Sequence, residues 1–313
     1  MAEPAVTIVV PNFEHAAYLP QRIESLLAQT FQDFEIIFLD DASTDDSVDV
    51  IRRYLDPRRM RLEVRASNSG GPFALWNRGA ALARGRYLWF AEADDWADPA
   101  FLARLVPVLE THPTVTVVHC PFQRVDPSGR VEDLSAIWWR DLHPTRWTHD
   151  FVAPGREELA WLARWNVISN ASGALVRRAT FAAVGGANEH LRLAADWELW
   201  AKLLLHGDLG FVASPLNYWR WHERTQRTRV DRDGQTEAEN RHVLHFIARA
   251  LGEAPGTIEA GYHRSAVESA LGWRDGARAP HHARALVTVA PAVARHWWLA
   301  LRAAACGRRG VAS

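Results

Sequence analysis

The sequence predicts an α/β protein: a mostly parallel central sheet flanked by helices, followed by a C-terminal helical appendage. Two observations predict it. From Val6 to Ala91, apolar β-branched runs alternate with helix-spaced segments. That rhythm belongs to parallel strands joined by crossover helices. After about Arg229 the chain becomes Ala/Arg-rich and its pattern turns helical.

Taken in order, Val6–Val10 reads as a buried strand closed by the turn signal Pro11-Asn12. Residues Leu19 to Gln29 carry Ile23, Leu26 and Leu27 at helical spacing. Phe34–Leu39 is a second strand and stops at Asp40-Asp41. Ser43 or Thr44 offers a cap for a helix bearing Val48, Ile51 and Leu55. Leu62–Arg65 is a short strand, Ser69-Gly70-Gly71-Pro72 a turn, and Phe73–Arg84 a helix. Tyr87–Ala91 is a strand that runs into Glu92-Ala93-Asp94-Asp95, and a helix starts near Pro99. From Val125 to Trp165 the alternation is lost. Strands resume at Gly173–Val176 and Phe211–Ala213, around a helix over Trp197–Leu205.

Composition narrows the function classes. Hydrophobic residues make up 48% and charged residues 23% of 313, which fits a folded domain and not a disordered chain. A net charge of -1 gives no electrostatic case for nucleic acid. Two cysteines, Cys120 and Cys306, make no disulfide framework, and no Cys/His cluster has zinc spacing. The N-terminus lacks a basic, apolar signal region, and no apolar run is long enough to span a bilayer. The cytoplasm is the expected compartment.

In open α/β sheets, ligands bind beyond the carboxyl ends of the strands. Here those ends carry Pro11-Asn12, Asp40-Asp41 and Glu92–Asp95. Crowded carboxylates repel one another unless a cation or donors are present. Hard oxygen ligands suit Mg²⁺ or Mn²⁺, which keep substrate phosphates and waters as further ligands. The competing reading is a solvated acidic loop before a helix.

Four segments together resemble family 2 glycosyltransferases with the GT-A fold: the run from Val6 to Phe13, the run from Phe34 to Asp45, Asn68-Ser-Gly-Gly through Asn77-Arg-Gly, and Tyr87 through Trp96. The resemblance covers about residues 5–225 and is densest before residue 125. It implies a catalytic domain over 1–229, with a nucleotide-sugar half at 1–124 and an acceptor half at 125–229. A helical region over 230–313 completes the chain. It implies that Pro11, Asn12, Asp41, Gly70, Asn77, Asp94 and Asp95 serve the donor. It implies Mn²⁺ or Mg²⁺ at Asp94, with Glu92 and His222 as further ligands. Glu92 stands where the family has its first Asp, and Trp76 where many members carry Arg. Asp196 matches the position of the base in an inverting transfer, with Glu198 as backup and Ala195 in place of the usual preceding acid. The competing reading of Asp196 is a helix N-cap. Arg220 and Arg224 are further diphosphate candidates.

The implied reaction moves a sugar from a UDP or dTDP donor to a saccharide or lipid-linked acceptor, in bacterial cell-surface synthesis. A non-catalytic sugar-binding module and a nucleotidyltransferase are the alternatives. The second would need a Gly-rich basic first loop, which Pro11-Asn-Phe-Glu-His is not. A dehydrogenase lacks its Gly-x-Gly-x-x-Gly after the first strand. Trp138, Trp139, Trp147, Trp161 and Trp165 suggest a sugar-stacking acceptor loop, against ordinary core packing. In the tail, Trp297, Trp298 and Leu301 share a helical stretch with Arg295 and Arg302. A surface helix packed on the domain is the favoured reading there. Peripheral contact of 278–313 with the inner membrane face is the alternative.

Overall fold

Strand β1 (Val6–Asn12) is buried along its whole length because both of its faces are covered. Ile8 and Val10 face one core with Ile36, Phe38 and Trp89. Val9 faces the other with Ile37, Leu39, Leu88 and Phe90. Continuous apolar runs, without a polar face, are what such strands require. β1 pairs in parallel with β2 (Phe34–Asp40) and with β4 (Tyr87–Phe90). β3 (Met60–Val64) joins β2, also in parallel. The computed structural model describes residues 3–126, 130–132, 139, 142–220, 235–272 and 288.

Among the described residues the main sheet has eight strands in the order β3-β2-β1-β4-β10-β6-β11-β9. β10 (Ala174–Arg177) runs antiparallel between β4 and β6 (Val115–His119). β11 (Asp208–Phe211) is parallel to β6, and β9 (Phe151–Ala153) closes the edge antiparallel. The reversed β10 matters for the site: the segment leading into it lies at the carboxyl end of β4. A second sheet, β5-β12-β7-β8, was not legible in the sequence. Its β5 (Trp96–Ala97) directly follows the acidic loop and pairs with β12 (Asn217–Arg220). β12 also pairs with β7 (Phe122–Val125), which pairs with β8 (Val131–Glu132). Strands of two to four residues carry too little periodicity to stand out.

Helices α1 (Leu19–Leu27), α2 (Ser47–Tyr54), α3 (Pro72–Leu82) and α4 (Phe101–Thr111) occupy the expected places. α2 starts later than Ser43 or Thr44 suggests, with Asp46 at its N-cap. α3 lies so close to β1 that a Cβ on Gly79 would meet Val9 Cγ1 at 2.4 Å. Beyond them come α5 (Gly155–Leu162), α6 (Arg178–Ala183), α7 (Ala195–Leu204), α8 (Gln235–Leu251) and α9 (Pro255–Gly272). Val243, Leu244 and Ile247 of α8 enter the same core as Leu199 and Trp200 of α7. No helix among the described residues is long and apolar enough to cross a membrane. The tail candidates from Pro291 onward lie outside the described residues.

The aromatic region packs inward. Trp139 and Trp147 are buried and stack at 6.2 Å, and Trp139 meets His119 and Phe211 edge-on. Trp161 packs on Trp147, and Trp165 on Tyr262. Trp139 and Trp147 are thus core residues, while Trp161 and Trp165 are partly exposed. Trp138 lies outside the described residues.

His119 is 1% exposed among these rings, and its Nε2 has no hydrogen-bond partner. Burial alone pushes its pKa from 6.5 down to about 3. Above the ordinary value the ring is neutral in both the folded and the unfolded chain. Below it, only the unfolded chain takes up the proton, so stability falls as pH falls. The loss expected between pH 6.5 and pH 4.5 is roughly 2–3 kcal/mol. His119→Phe should flatten that part of the acid limb in urea melts run at both pH values.

Candidate active site

At the end of β1, Asn12 donates through Nδ2 to Asp40 at 2.7 Å and to Ser43 Oγ at 3.2 Å. Glu14 and Ala42 hold left-handed backbone, φ 61 and 62, in the loops after β1 and β2. Such strain persists only where neighbours fix it. Here Glu14 accepts from the Thr44 N–H and hydroxyl, and its own N–H donates to Ser43 Oγ. Ser43 and Thr44 thus lace the two loops together and do not cap α2. Asp41 is buried and accepts from the Ser69 N–H and, at 2.8 Å, from the Ser69 hydroxyl. Arg65 pairs with Asp41 at 3.1 Å. Asp41 therefore ties the β2 end to the turn that contains Gly70, whose φ of 89 suits glycine.

A cleft of about 620 Å³ opens beside this turn. Arg65, Ser69, Gly70 and Phe73 line one wall, and Glu189, Leu191 and Arg192 line another. The cleft thus joins the Gly70 turn to the segment that precedes α7.

The acidic loop after β4 holds its carboxylates differently from one another. Glu92 accepts from the Trp76 indole N–H at 2.9 Å. Trp76 is 2% exposed and stacks on Phe90 at 4.5 Å. The two departures from the family pattern are thus partners: the longer acid reaches the buried indole. Burial, then the neighbouring Asp94, pushes Glu92 up to about 8. Asp95 is buried and accepts from the Arg220 N–H and the Asn170 amide, both at 3.0 Å. Burial first and Asp94 next push it up to about 6. Asp94 is partly exposed. Trp76→Phe keeps the stack but leaves Glu92 without its donor. A loss of about 1–3 kcal/mol in chemical denaturation is expected.

Beneath the loop lies Arg22, fully buried. It donates to the Glu92 carbonyl at 2.8 Å and to Ser172 Oγ at 3.2 Å. Burial lowers its pKa to about 10, while Asp95, Asp94 and Glu92 act to raise it. Arg22 is not among the residues that the motifs single out, although the sequence carries a signal for it. Leu19, Arg22, Ile23 and Leu26 form the buried stripe of α1, and an Arg on such a stripe needs buried partners. Crowding and burial raise Glu92 and Asp95 even with the buried Arg22 and Arg220 beside the loop, and a divalent cation would relieve that repulsion. Among the described residues no group of three or more His, Cys, Asp or Glu is placed to hold a metal. Mg²⁺ requires less, because one or two carboxylates suffice when phosphates complete its shell. His222 and Arg224 lie outside the described residues. Arg220 is buried between Tyr18 and Trp96, and donates to the Asp94 carbonyl at 3.0 Å.

The segment before β10 couples this loop to the second half of the chain. Ser172 Oγ accepts from the Glu92 N–H, and the Ser172 carbonyl accepts from the Trp89 indole. Asn166, upstream in that segment, donates to Asp196 at 3.5 Å. Asp196 is the second residue of α7 and partly exposed; Ala194 occupies the N-cap, so the N-cap reading fails. One turn on, Trp200 packs against Trp76 at 6.5 Å. Glu198 is buried and accepts from Asn188 at 3.1 Å, His242 at 2.9 Å and Lys202 at 2.6 Å. Asn77 grips Ala187 twice: its amide donates to the carbonyl, and its Oδ1 accepts from the N–H. The Gly185-Gly186 turn sits against it with φ 80 and 72; a Cβ on Gly186 would meet Asn77 Oδ1 at 2.5 Å.

Comparison with known proteins gives a consistent picture. The sequence matches Glycosyl transferase family 2 over residues 7–179, more than half of the chain. It is 36% identical over 114 residues to an uncharacterized glycosyltransferase of Nostoc sp., covering 36% of this chain and 35% of that protein. It is 30% identical over 199 residues to a PGL/p-HBAD biosynthesis glycosyltransferase of Mycobacterium tuberculosis, covering 63% of this chain and 69% of that protein. The chain thus spans about a third of the Nostoc relative's length. Among solved structures, S. aureus TarS in complex with UDP-GlcNAc superposes with a TM-score of 0.63 at 17% identity, over 91% of this chain and 79% of that one. The Pyrobaculum calidifontis mannosyltransferase with GDP-Man and Mn²⁺ gives 0.58 at 18%, over 98% and 81%. These likenesses concern the fold.

Proposed function

The chain belongs to glycosyl transferase family 2, and from that membership we propose that it transfers a sugar with inversion from a UDP or dTDP donor to an acceptor hydroxyl. It is a glycosyltransferase with a GT-A architecture. The observation that carries the finer reading is the path from base to acid loop. Asp196 and Trp200 lie one turn apart on α7, Trp200 meets Trp76, and Trp76 holds Glu92.

In this reading Asn12, Asp41 and the Gly70 turn take the nucleoside end of the donor. Asp94, with Glu92 beside it, would hold Mn²⁺ or Mg²⁺, which supplies positive charge against the departing diphosphate. Asp95 positions the loop from below through Arg220 and Asn170. Asp196 takes the proton of the attacking hydroxyl as the new bond to the anomeric carbon forms. The bond to the phosphate oxygen breaks at the same time, and the diphosphate leaves with the electron pair. Glu198, occupied by three partners, is the weaker base candidate. Structural neighbours bound to UDP-GlcNAc or to GDP-Man with Mn²⁺ support the donor class and a divalent ion. The mycobacterial relatives act in PGL/p-HBAD biosynthesis, which supports a saccharide or lipid-linked acceptor in cell-surface glycoconjugate synthesis.

The test is a thermal-shift screen of nucleotide sugars with Mn²⁺. Stabilisation grows with the ratio of ligand concentration to Kd, so the preferred donor is expected to stand out. Equal, metal-independent shifts for UDP, dTDP and GDP sugars would refute the donor assignment.

A further inference from the structure

Glu239 stands on the buried stripe of α8, in register with Val243 and Ile247 one and two turns on, and is 5% exposed. A carboxylate there needs partners, and the partners it finds belong to another segment. One oxygen accepts from the Arg192 N–H at 2.9 Å. The other accepts from the N–H groups of Leu193 at 2.8 Å and Ala194 at 3.0 Å. Gln235 holds the first oxygen from the same helix at 3.0 Å. Three consecutive backbone N–H groups converging on one carboxylate form an anion nest at the positive end of α7. Ala194 occupies the N-cap and has no side chain able to serve that end.

The segment so held runs directly into Asp196. Its other end is also held, because Asn77 grips Ala187 from α3. One turn beyond Glu239, His242 bonds Glu198 of α7 at 2.9 Å. The stretch from 187 to 196 is therefore clamped between α3 and α8, and residues 189–192 within it line the cleft beside the Gly70 turn.

We propose that Glu239 is a positioning residue for sugar transfer: its carboxylate fixes the 192–194 backbone, and through it the placement of Asp196. Helix α8 then works as part of the catalytic unit, not as an appendage. This rests on the reading of Asp196 as the base. A carboxylate gathering three N–H groups cannot be replaced by an amide without loss. A Gln at this position presents one acceptor oxygen and turns two N–H donors toward donors.

The experiment compares Glu239→Gln, Glu239→Asp, Asp196→Asn and the Glu239→Gln/Asp196→Asn double variant in the full chain. Release of nucleoside diphosphate from a panel of UDP and dTDP hexoses gives kcat and KM. Titration with UDP and Mn²⁺ gives donor-site affinity, and hydrogen exchange reports on the 187–196 amides. For Glu239→Gln, kcat should fall tenfold or more, UDP affinity should stay within twofold, and the 192–194 amides should exchange faster. Glu239→Asp should recover part of kcat. In the Asp196→Asn background, Glu239→Gln should add less than a further twofold loss. Wild-type kcat in folded Glu239→Gln, with Asp196→Asn inactive, overturns the proposal and leaves the base assignment standing. So does a parallel fall of kcat and UDP affinity. Wild-type kcat in Asp196→Asn overturns the base assignment itself, and the proposal with it. Should Glu239→Gln not fold, Glu239→Asp decides: unchanged kcat with unchanged exchange at 192–194 overturns the proposal.

Discussion

Replacing Asp196 with Asn should slow sugar transfer by about 10²- to 10⁴-fold, the range in which a positioned general base contributes. UDP binding in the presence of Mn²⁺ should change little. Asn keeps the shape of Asp and its place in the first turn of α7. The cost to the helix is then confined to the loss of a favourable charge near its positive end, about 0.3–1 kcal/mol. The effect on turnover is larger because no other carboxylate of that turn is ready to substitute. Glu198 is buried, and Lys202, Asn188 and His242 surround it. Those partners hold its carboxyl below the usual range against the opposing effect of burial. Single-turnover kinetics on the preferred donor separates the chemical step from binding. Turnover within threefold of the parent enzyme would remove Asp196 from the role.

The second large effect is expected at Asp94. Asp94→Ala should abolish the Mn²⁺-dependent stabilisation that UDP confers on the parent protein. At a ligand concentration 100 times Kd, that stabilisation is about 2.7 kcal/mol. The expectation follows from how unequally the three acids are engaged. Asp95 is buried under Arg220 and Asn170, and Glu92 is bound to an indole at its inner end. Asp94 and Glu92 are both partly exposed, but only Glu92 is tied to the buried Trp76 indole. Its removal also relieves crowding, so the unliganded variant is expected to melt at or above the parent temperature. Loss of metal response without loss of fold is the diagnostic outcome in calorimetry. Unchanged UDP binding would sink the metal assignment.

Much of the fold was legible because its strands are buried on both faces. Val6–Asn12, Phe34–Asp40 and Tyr87–Phe90 are mostly apolar runs, broken only by Thr7 and Glu35 before their ends, and polar residues stand at or just beyond each carboxyl end. Alternation of such runs with helices dictates a parallel sheet, and a parallel sheet gathers its strand ends on one edge. The placement of Asn12, Asp41 and Glu92–Asp95 along that edge needed no coordinates. The second sheet was illegible for the opposite reason. Its strands are short, and β12 finds β5 and β7 across long stretches of chain. Trp139 and Trp147 could not be assigned from sequence because stacking on sugar and stacking on one another ask for the same residues. Burial decides between them, and burial is a property of the fold.

By itself, then, the sequence determined the family, through its resemblance, and the sheet edge with the acids that stand on it. Each of these follows from local pattern, from runs and spacings that neighbouring residues set. Tertiary structure decided how the acids are held, because their partners are remote in the chain. Glu92 is paired with Trp76 and underlain by Arg22, Asp95 is committed to Arg220 and Asn170, and Asp196 is reached from Asn166. Glu239 shows the division most clearly. In the sequence it is one acid on a C-terminal helix; in the fold it collects three backbone N–H groups that lead into Asp196. A carboxylate's role depends on what surrounds it once water is excluded, and only the folded chain brings those surroundings together.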